Sequence, residues 1–134
     1  NQKRIAEVVS RLKKTAGKTW YVFSGLTPAG WDCSGLVRWT YEQLGVTLEH
    51  SARKQALSGA IVTSPELGDI VAYYYPGQKN AYHVGIYLGK GQMINAPRPG
   101  RVTRIESVIN GEFKGSVVKY IRILAQDPSD LLIL

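Results

Sequence analysis

The run Asp32-Cys33-Ser34-Gly35-Leu36-Val37 holds the chain's single cysteine, and its surroundings suit a nucleophile better than an inert thiol. A free cysteine is most often a small buried hydrophobe. Here both flanks, Asp32 and Ser34, are polar. Gly30-Trp31 closes one segment, and apolar Leu36, Val37 and Tyr41 then recur at helical spacing toward Leu44. Asp32 is a good N-cap, so Cys33 is predicted in the first turn of a helix. Unpaired backbone N–H groups and the positive end of the helix dipole favour an anion there, which predicts a sulfur held as thiolate.

A base for that sulfur is available in His83. It opens the run His83-Val84-Gly85-Ile86-Tyr87-Leu88, whose alternation puts His83, Gly85 and Tyr87 on one face and Val84, Ile86 and Leu88 on the other. The apolar set is the core side, and Gly85 leaves room for close approach beside His83. Asn95 ends the next run, Gln92-Met93-Ile94-Asn95, beyond the turn Gly89-Lys90-Gly91. A hairpin pivoting at Lys90 sets Gly85 opposite Asn95 and His83 opposite Pro97. His83 and Asn95 are then diagonal neighbours on one face, roughly 7–8 Å apart between backbones, and a bulge would bring them nearer. A cysteine nucleophile, a histidine that takes and returns its proton, and a polar third residue that fixes the imidazole tautomer make up the triad of thiol hydrolases. On spacing alone Asn95 reads equally well as a plain sheet or turn residue. His50, just before a helix cap, reads as a surface histidine or at best a rim or substrate-contact residue, outside the triad.

The elements that must position these residues follow from periodicity. Ile5, Val8, Val9 and Leu12 predict an N-terminal helix over 2–15 with Gly17 as its stop; Lys18 to Pro28 is aromatic and then turn-forming. The cysteine helix is predicted from Cys33 to Leu44, ending at Gly45, and Ser51 caps a third helix, Ala52 to Leu57. Beyond Ile61 the chain turns β-branched and aromatic, with strands predicted at 69–75, 83–88, 92–95, 101–105 and 116–124. Alternation in Tyr73-Tyr74-Tyr75 predicts that Tyr74 differs in burial from its neighbours. Helices first and strands afterwards predict an α+β fold, its helices on one face of an antiparallel sheet of about five strands.

Composition sets outer bounds. The 134 residues suit a single core, 44% hydrophobic and 20% charged, without repeats or low-complexity tracts. Residues 1–125 are expected to form that domain, and 126–134 a tail or linker to further sequence. One cysteine excludes an internal disulfide. No zinc-type spacing is present, so no structural metal is expected. No apolar run approaches the ~20 residues of a membrane span, and no signal-peptide pattern is visible; the start at Asn1 suits a processed form or a domain of something longer. A formal charge of +7 and a pI near 9.6 imply attraction to polyanions, densest along Lys3, Arg4, Arg11, Lys13, Lys14 and Lys18. That composition is compatible with nucleic acid, anionic lipid or bacterial wall polymers, and charge alone does not choose among them.

Asp32-Cys33-Ser34-Gly35-Leu36-Val37, Gly68-Asp69-Ile70-Val71, His83 to Gly89 and Met93-Ile94-Asn95-Ala96, in this order, resemble the NlpC family of bacterial cell-wall cysteine peptidases. The resemblance runs from about Tyr21 to Ile105. It implies a pared-down papain-like α+β fold and hydrolysis of amide bonds in peptidoglycan stem peptides, often the γ-D-glutamyl bond to a diamino acid. It makes Cys33 the nucleophile, His83 the general base and then acid, and Asn95 the orienting residue, and no cofactor is needed. Tyr21 resembles the family's tyrosine beside the thiol, Asp32 and Ser34 match positions that in some members meet the substrate's amino end, and Gln55 matches a structural contact. Two positions depart from the pattern. The third site is most often histidine in the family, and Asn95 is neutral; where a double glycine is common, this chain has Ser24-Gly25. The partner implied is a peptidoglycan peptide, with anionic wall polymers as a further surface and no specific nucleic acid. The setting implied is extracellular, periplasmic, wall-associated or a phage particle. The rival from another class is a non-hydrolytic module of the same fold that grips the wall or another polyanion.

Overall fold

The computed structural model describes residues 2–123, and the expectations for 126–134 lie outside them. Three helices precede the main sheet: α1 (Gln2–Lys13), α2 (Cys33–Glu42) and α3 (Ala52–Ala56). α1 buries Val8, Val9 and Leu12, the stripe its spacing predicts, and carries Arg11 and Lys13 in its last turn, where cations complement the dipole. Gly17, at a positive φ of 76°, turns the chain and donates its N–H to Thr103 O at 2.7 Å. α2 ends two residues short of the predicted Leu44. Ser51 caps α3 by accepting from the Lys54 N–H at 3.3 Å.

Between α1 and α2 the segment read as loop contains a two-stranded ribbon, β1 (Leu26–Thr27) against β2 (Gly30–Trp31). Trp31 is fully buried, and its indole N–H donates to Thr103 Oγ1 at 2.8 Å. A Cβ on Gly35 would strike the Gly25 carbonyl, so α2 lies directly against this ribbon. That contact sets where the cysteine-bearing tip of α2 sits.

Among the described residues the main sheet is antiparallel, with six strands in the order β3-β8-β4-β5-β6-β7. Its members are β3 (Ala60–Val62), β4 (Ile70–Tyr74), β5 (His83–Gly89), β6 (Gln92–Asn95), β7 (Arg104–Ser107) and β8 (Val117–Arg122). The strand absent from the sequence reading is β3, three mostly exposed residues that exist by pairing with β8 at the sheet edge. β7 also starts three residues later than predicted. Arg101 to Thr103 are engaged elsewhere: Tyr21 N–H donates to Arg101 O, and Thr19 O accepts from Thr103 N–H. Pairing with the 17–21 segment thereby displaces the strand toward Ser107.

The helices cover one face, where Val8, Leu12, Leu36, Val37, Ile70, Val84, Ile86, Ile94 and Ile121 form the main core. The opposite face carries a second cluster, Val71, Tyr73, Tyr87, Met93 and Val108, roofed in part by Phe113. Both faces of β4 are therefore buried. This corrects the reading of the tyrosine run: Tyr73 and Tyr74 are both buried, one in each layer, and Tyr75 is the exposed one, stacked on Tyr82 with ring centroids 3.9 Å apart. The Gly68-Asp69 motif is a structural clamp. Asp69 takes Arg122 Nε at 3.1 Å and Nη2 at 2.8 Å, and accepts the Glu66 N–H at 2.7 Å, tying the turn before β4 to β8.

Candidate active site

Asp32 holds the tip of α2. It has extended backbone angles, and its Oδ1 accepts the Gly35 N–H at 2.8 Å, the geometry of an N-cap. The same carboxylate takes the Ser24 N–H on Oδ2 at 3.1 Å and His50 Nε2 on Oδ1 at 2.8 Å. His50 is thus no free surface histidine, as the sequence suggested, but a partner of Asp32, with its ring about four-fifths covered, at 21% exposure. The pairing joins residues 18 apart in the chain and needs the loop before α3 to fold back onto the tip of α2. Ser24 sits at a φ of 63°, the left-handed region, where a glycine would be unstrained. Ser34 is buried and turns its hydroxyl to Asp32 at a long 3.4 Å, while its carbonyl accepts Gln55 Nε2 at 2.9 Å. Gln55 also donates to Glu49 O at 2.8 Å, a contact that pins α3 to the loop before it.

Cys33 is the first residue of α2. The backbone amides of Val84 in β5, and of Ser34 and Cys33 at the helix tip, lie near its sulfur and favour the anion. Burial acts the other way and is stronger, so the thiol is pushed up to about 11. The expected resting thiolate is corrected accordingly: helix-tip donors are present, but desolvation between α2 and β5 outweighs them. Tyr21 lies in the same field. Its phenol is raised by burial and then by the charges of Cys33 and Asp32, and it stays a neutral O–H donor.

His83 neighbours Val84, whose amide reaches the sulfur. It is 3% exposed. Phe113 stacks on the imidazole with centroids 3.9 Å apart and planes inclined by 18°, and Tyr73 lies 5.8 Å away. Nε2 and Asn95 Oδ1 are 2.8 Å apart. The pairs Ile86–Ile94 and Tyr87–Met93 have the register expected from a pivot at Lys90, with an irregularity between Tyr87 and Gly89. A Cβ on Gly85 would lie 3.1 Å from Asn95 Cβ, so the space left by this glycine is taken by β6, Asn95 included. Burial drives the imidazole down to about 4; the Asn95 bond and the Glu106 charge pull upward.

Cys33, His83 and Asn95 are therefore brought to one end of β5, with Tyr21 and Asp32 around the helix tip. Sequence reasoning missed Glu106 and Phe113. Arg104 and Glu106 alternate like a solvated strand face, and Phe113 sits in an irregular loop, so neither position carried a signal. Among the described residues no group of three or more His, Cys, Asp or Glu side chains is arranged to hold a metal ion, and no helix is long and apolar enough to cross a membrane.

A cysteine at a capped helix tip against a strand-borne histidine, with helices over an antiparallel sheet, defines a papain-like α+β fold. The chain matches the model of the NlpC/P60 family over residues 17–122 and belongs to that family. It is 36% identical over 108 residues to peptidoglycan endopeptidase RipA of Mycobacterium tuberculosis, covering 79% of this chain and 22% of that protein. It is 40% identical over 100 residues to the gamma-DL-glutamyl hydrolase of Bacillus subtilis, covering 72% and 24%. To the probable endopeptidase YafL of Escherichia coli it is 34% identical over 130 residues, covering 92% and 52%. The chain thus spans from about a fifth to about half of the length of these relatives. Among solved structures, the NlpC/p60 domain of peptidoglycan hydrolase SagA superposes with a TM-score of 0.74 at 32% identity, covering 88% of this chain and 98% of that one. An NlpC/P60 family protein from Bacillus cereus gives 0.79 at 26% identity, covering 90% and 40%.

Proposed function

We propose that this chain is a cysteine peptidase that hydrolyses an amide bond in peptidoglycan stem peptides, the γ-D-glutamyl bond to a diamino acid being the favoured target. The observation that carries the reading is the His83–Asn95 hydrogen bond at 2.8 Å, one residue from the Val84 amide that reaches the Cys33 sulfur. The relatives named peptidoglycan endopeptidase and gamma-DL-glutamyl hydrolase support the substrate class. Such a substrate belongs to a wall-facing compartment, or to a phage that opens one.

The reaction starts from a neutral pair, because burial holds the thiol protonated and the imidazole unprotonated. His83 Nδ1 takes the Cys33 proton as sulfur attacks the scissile carbonyl. The oxyanion is met by the backbone N–H of Cys33 and the Tyr21 hydroxyl. The tetrahedral adduct collapses when imidazolium hands its proton to the leaving amine, giving a thioester. Water, deprotonated by His83, adds to that thioester; cleavage of the C–S bond frees the carboxylic acid and restores the thiol. Among the described residues Asp32 Oδ2 meets one donor, the Ser24 N–H, and it can take a substrate ammonium as a second. Ser34, buried and turned to Asp32, serves that site by holding Asp32.

The formal charge of +7, densest along α1 and the turn after it, supports a second reading, a wall-binding module without turnover. Mass-spectrometric digestion of purified peptidoglycan fragments separates the two. New amino and carboxyl ends from the wild type, and none from Cys33→Ala, are expected; intact fragments, or equal cleavage by Cys33→Ala, would sink the hydrolase reading.

A further inference from the structure

The reaction above leaves one buried carboxylate unused. Glu106, on β7, is 5% exposed and lies behind Asn95 as seen from His83. Its Oε2 accepts Asn95 Nδ2 at 2.9 Å, its Oε1 accepts the Glu112 N–H at 2.7 Å, and Arg104 Nε stands 3.7 Å from Oε2. A Cβ on Gly111 would come within 2.5 Å of Glu106 Oε1, so the 108–116 loop is wrapped closely on the carboxylate. The same loop supplies Phe113, which stacks on His83.

The hydrogen-bond directions are forced. Asn95 Nδ2 faces Glu106 Oε2 and, at 3.3 Å, the Arg104 carbonyl, and both of these oxygens accept. Oδ1 must then face His83. Nε2, 2.8 Å away, must carry the ring proton, which leaves the lone pair on Nδ1. Reversal of the amide would aim NH2 at Nε2 and move the ring proton to Nδ1, the tautomer that cannot accept from a thiol.

We propose that Glu106 is a positioning residue of this site: acting through Asn95, it holds the imidazole tautomer able to take the Cys33 proton and supplies the negative charge that a neutral third residue lacks. The inference rests on the reading of Cys33 and His83 as nucleophile and base. His83 is faced by Asn95, Phe113 and Tyr73, and Glu106 is the carboxylate whose charge raises its affinity for protons against burial. On the far side, Arg104 is shared with Glu112, which also meets Arg98 and Arg101, so the positive charge there is spread over a second acid. The chain thus carries its carboxylate one step behind the third residue.

The test is the Glu106→Gln variant of the full chain, read in two ways. With only two histidines in the sequence, 15N NMR resolves both rings, and His50→Gln identifies the other. Wild-type His83 is expected to carry its proton on Nε2, and Glu106→Gln to lower its pKa. In turnover of a peptidoglycan peptide, Glu106→Gln should reduce kcat about 10- to 100-fold, what the loss of a hydrogen bond to a charged group is worth, with KM nearly unchanged. If Glu106 acts through Asn95, Glu106→Gln adds less than about twofold in an Asn95→Ala background. Independent, multiplicative losses in that cycle, a His83 pKa that ignores Glu106→Gln, or a wild-type proton on Nδ1 would each overturn the proposal; the last needs no variant to fold. A wild type that cleaves nothing while His83 still responds to Glu106→Gln refutes the hydrolase reading and leaves the positioning intact.

Discussion

Gly85 is where stability and the site are most tightly coupled, and Gly85→Ala should damage both. An added Cβ would stand 2.9 Å from Met93 Sδ, 3.0 Å from Ile94 O and 3.1 Å from Asn95 Cβ. Comfortable carbon contacts lie at about 3.5–4.0 Å, so β6 must yield by roughly 0.4–0.6 Å. Two of the three obstacles, the Ile94 carbonyl and the Asn95 Cβ, belong to or adjoin backbone and have no rotamer to escape into. Overpacking of this kind costs about 1–3 kcal/mol, and for a domain of this size that corresponds to a fall in Tm of roughly 3–12 °C. The displacement is aimed at Asn95, whose bond to His83 would stretch from 2.8 Å toward the ~3.2 Å limit of a useful N–H···O contact. Turnover should therefore fall by more than the loss of folded protein, on the order of tenfold, because misplacement by about 1 Å costs about a hundredfold. Differential scanning calorimetry and steady-state hydrolysis on the same sample measure the two losses separately. A variant with wild-type Tm and wild-type kcat would refute the claim that this glycine is required by the approach of β6. A lowered Tm with untouched kcat would show that the His83–Asn95 bond does not depend on the local register.

Burial of His83 should also make the fold acid-sensitive. Its folded pKa, about 4, lies below the ordinary 6.5, so between these values the unfolded chain binds a proton that the native state refuses. Stability is thus fully present above pH 6.5 and falls as pH drops toward 4, by an amount on the order of 3 kcal/mol. Urea melts at pH 7 and pH 4.5 measure it, and a His83→Gln variant that keeps the whole difference would contradict this account. At Asp69, Asp69→Ala leaves Arg122 without the carboxylate that takes two of its nitrogens. The guanidinium is partly solvated, so the expected loss is about 2–3 kcal/mol, below the range for a fully buried pair. Chemical denaturation should register that loss while the near-ultraviolet spectrum stays native; a change below about 0.5 kcal/mol would mean the clamp is ornamental.

The departures from the family pattern have physical readings. Ser24, where a double glycine is common, takes the left-handed conformation and still aims its N–H at Asp32, so the departure leaves the helix-tip network in place. Neutral Asn95 has Glu106 behind it, which changes what its neutrality implies for the site.

Much was legible in the chain because the signals were local. Helical spacing, the Asp32 cap, the two-residue period of β5 and the Gly89-Lys90-Gly91 turn depend on neighbours within a few positions, and they placed Cys33 at a helix tip and His83 and Asn95 on one face of a hairpin. What the sequence could not contain was the environment of each charge. The thiolate reading counted the donors of one helix and failed because burial of the sulfur, which depends on residues distant in the chain, outweighs them. His50 looked solvated until the loop before α3 folded onto Asp32. β3 has no pattern of its own and exists through its pairing with β8. Glu106 alternates with Arg104 as any exposed pair would, and becomes a buried partner of Asn95 only because residues 101–103 are drawn away to the 17–21 segment, which sets where β7 begins. Periodicity is written along the chain, whereas solvent exclusion and cross-strand hydrogen bonds are sums over residues distant in sequence, and only the folded arrangement evaluates them.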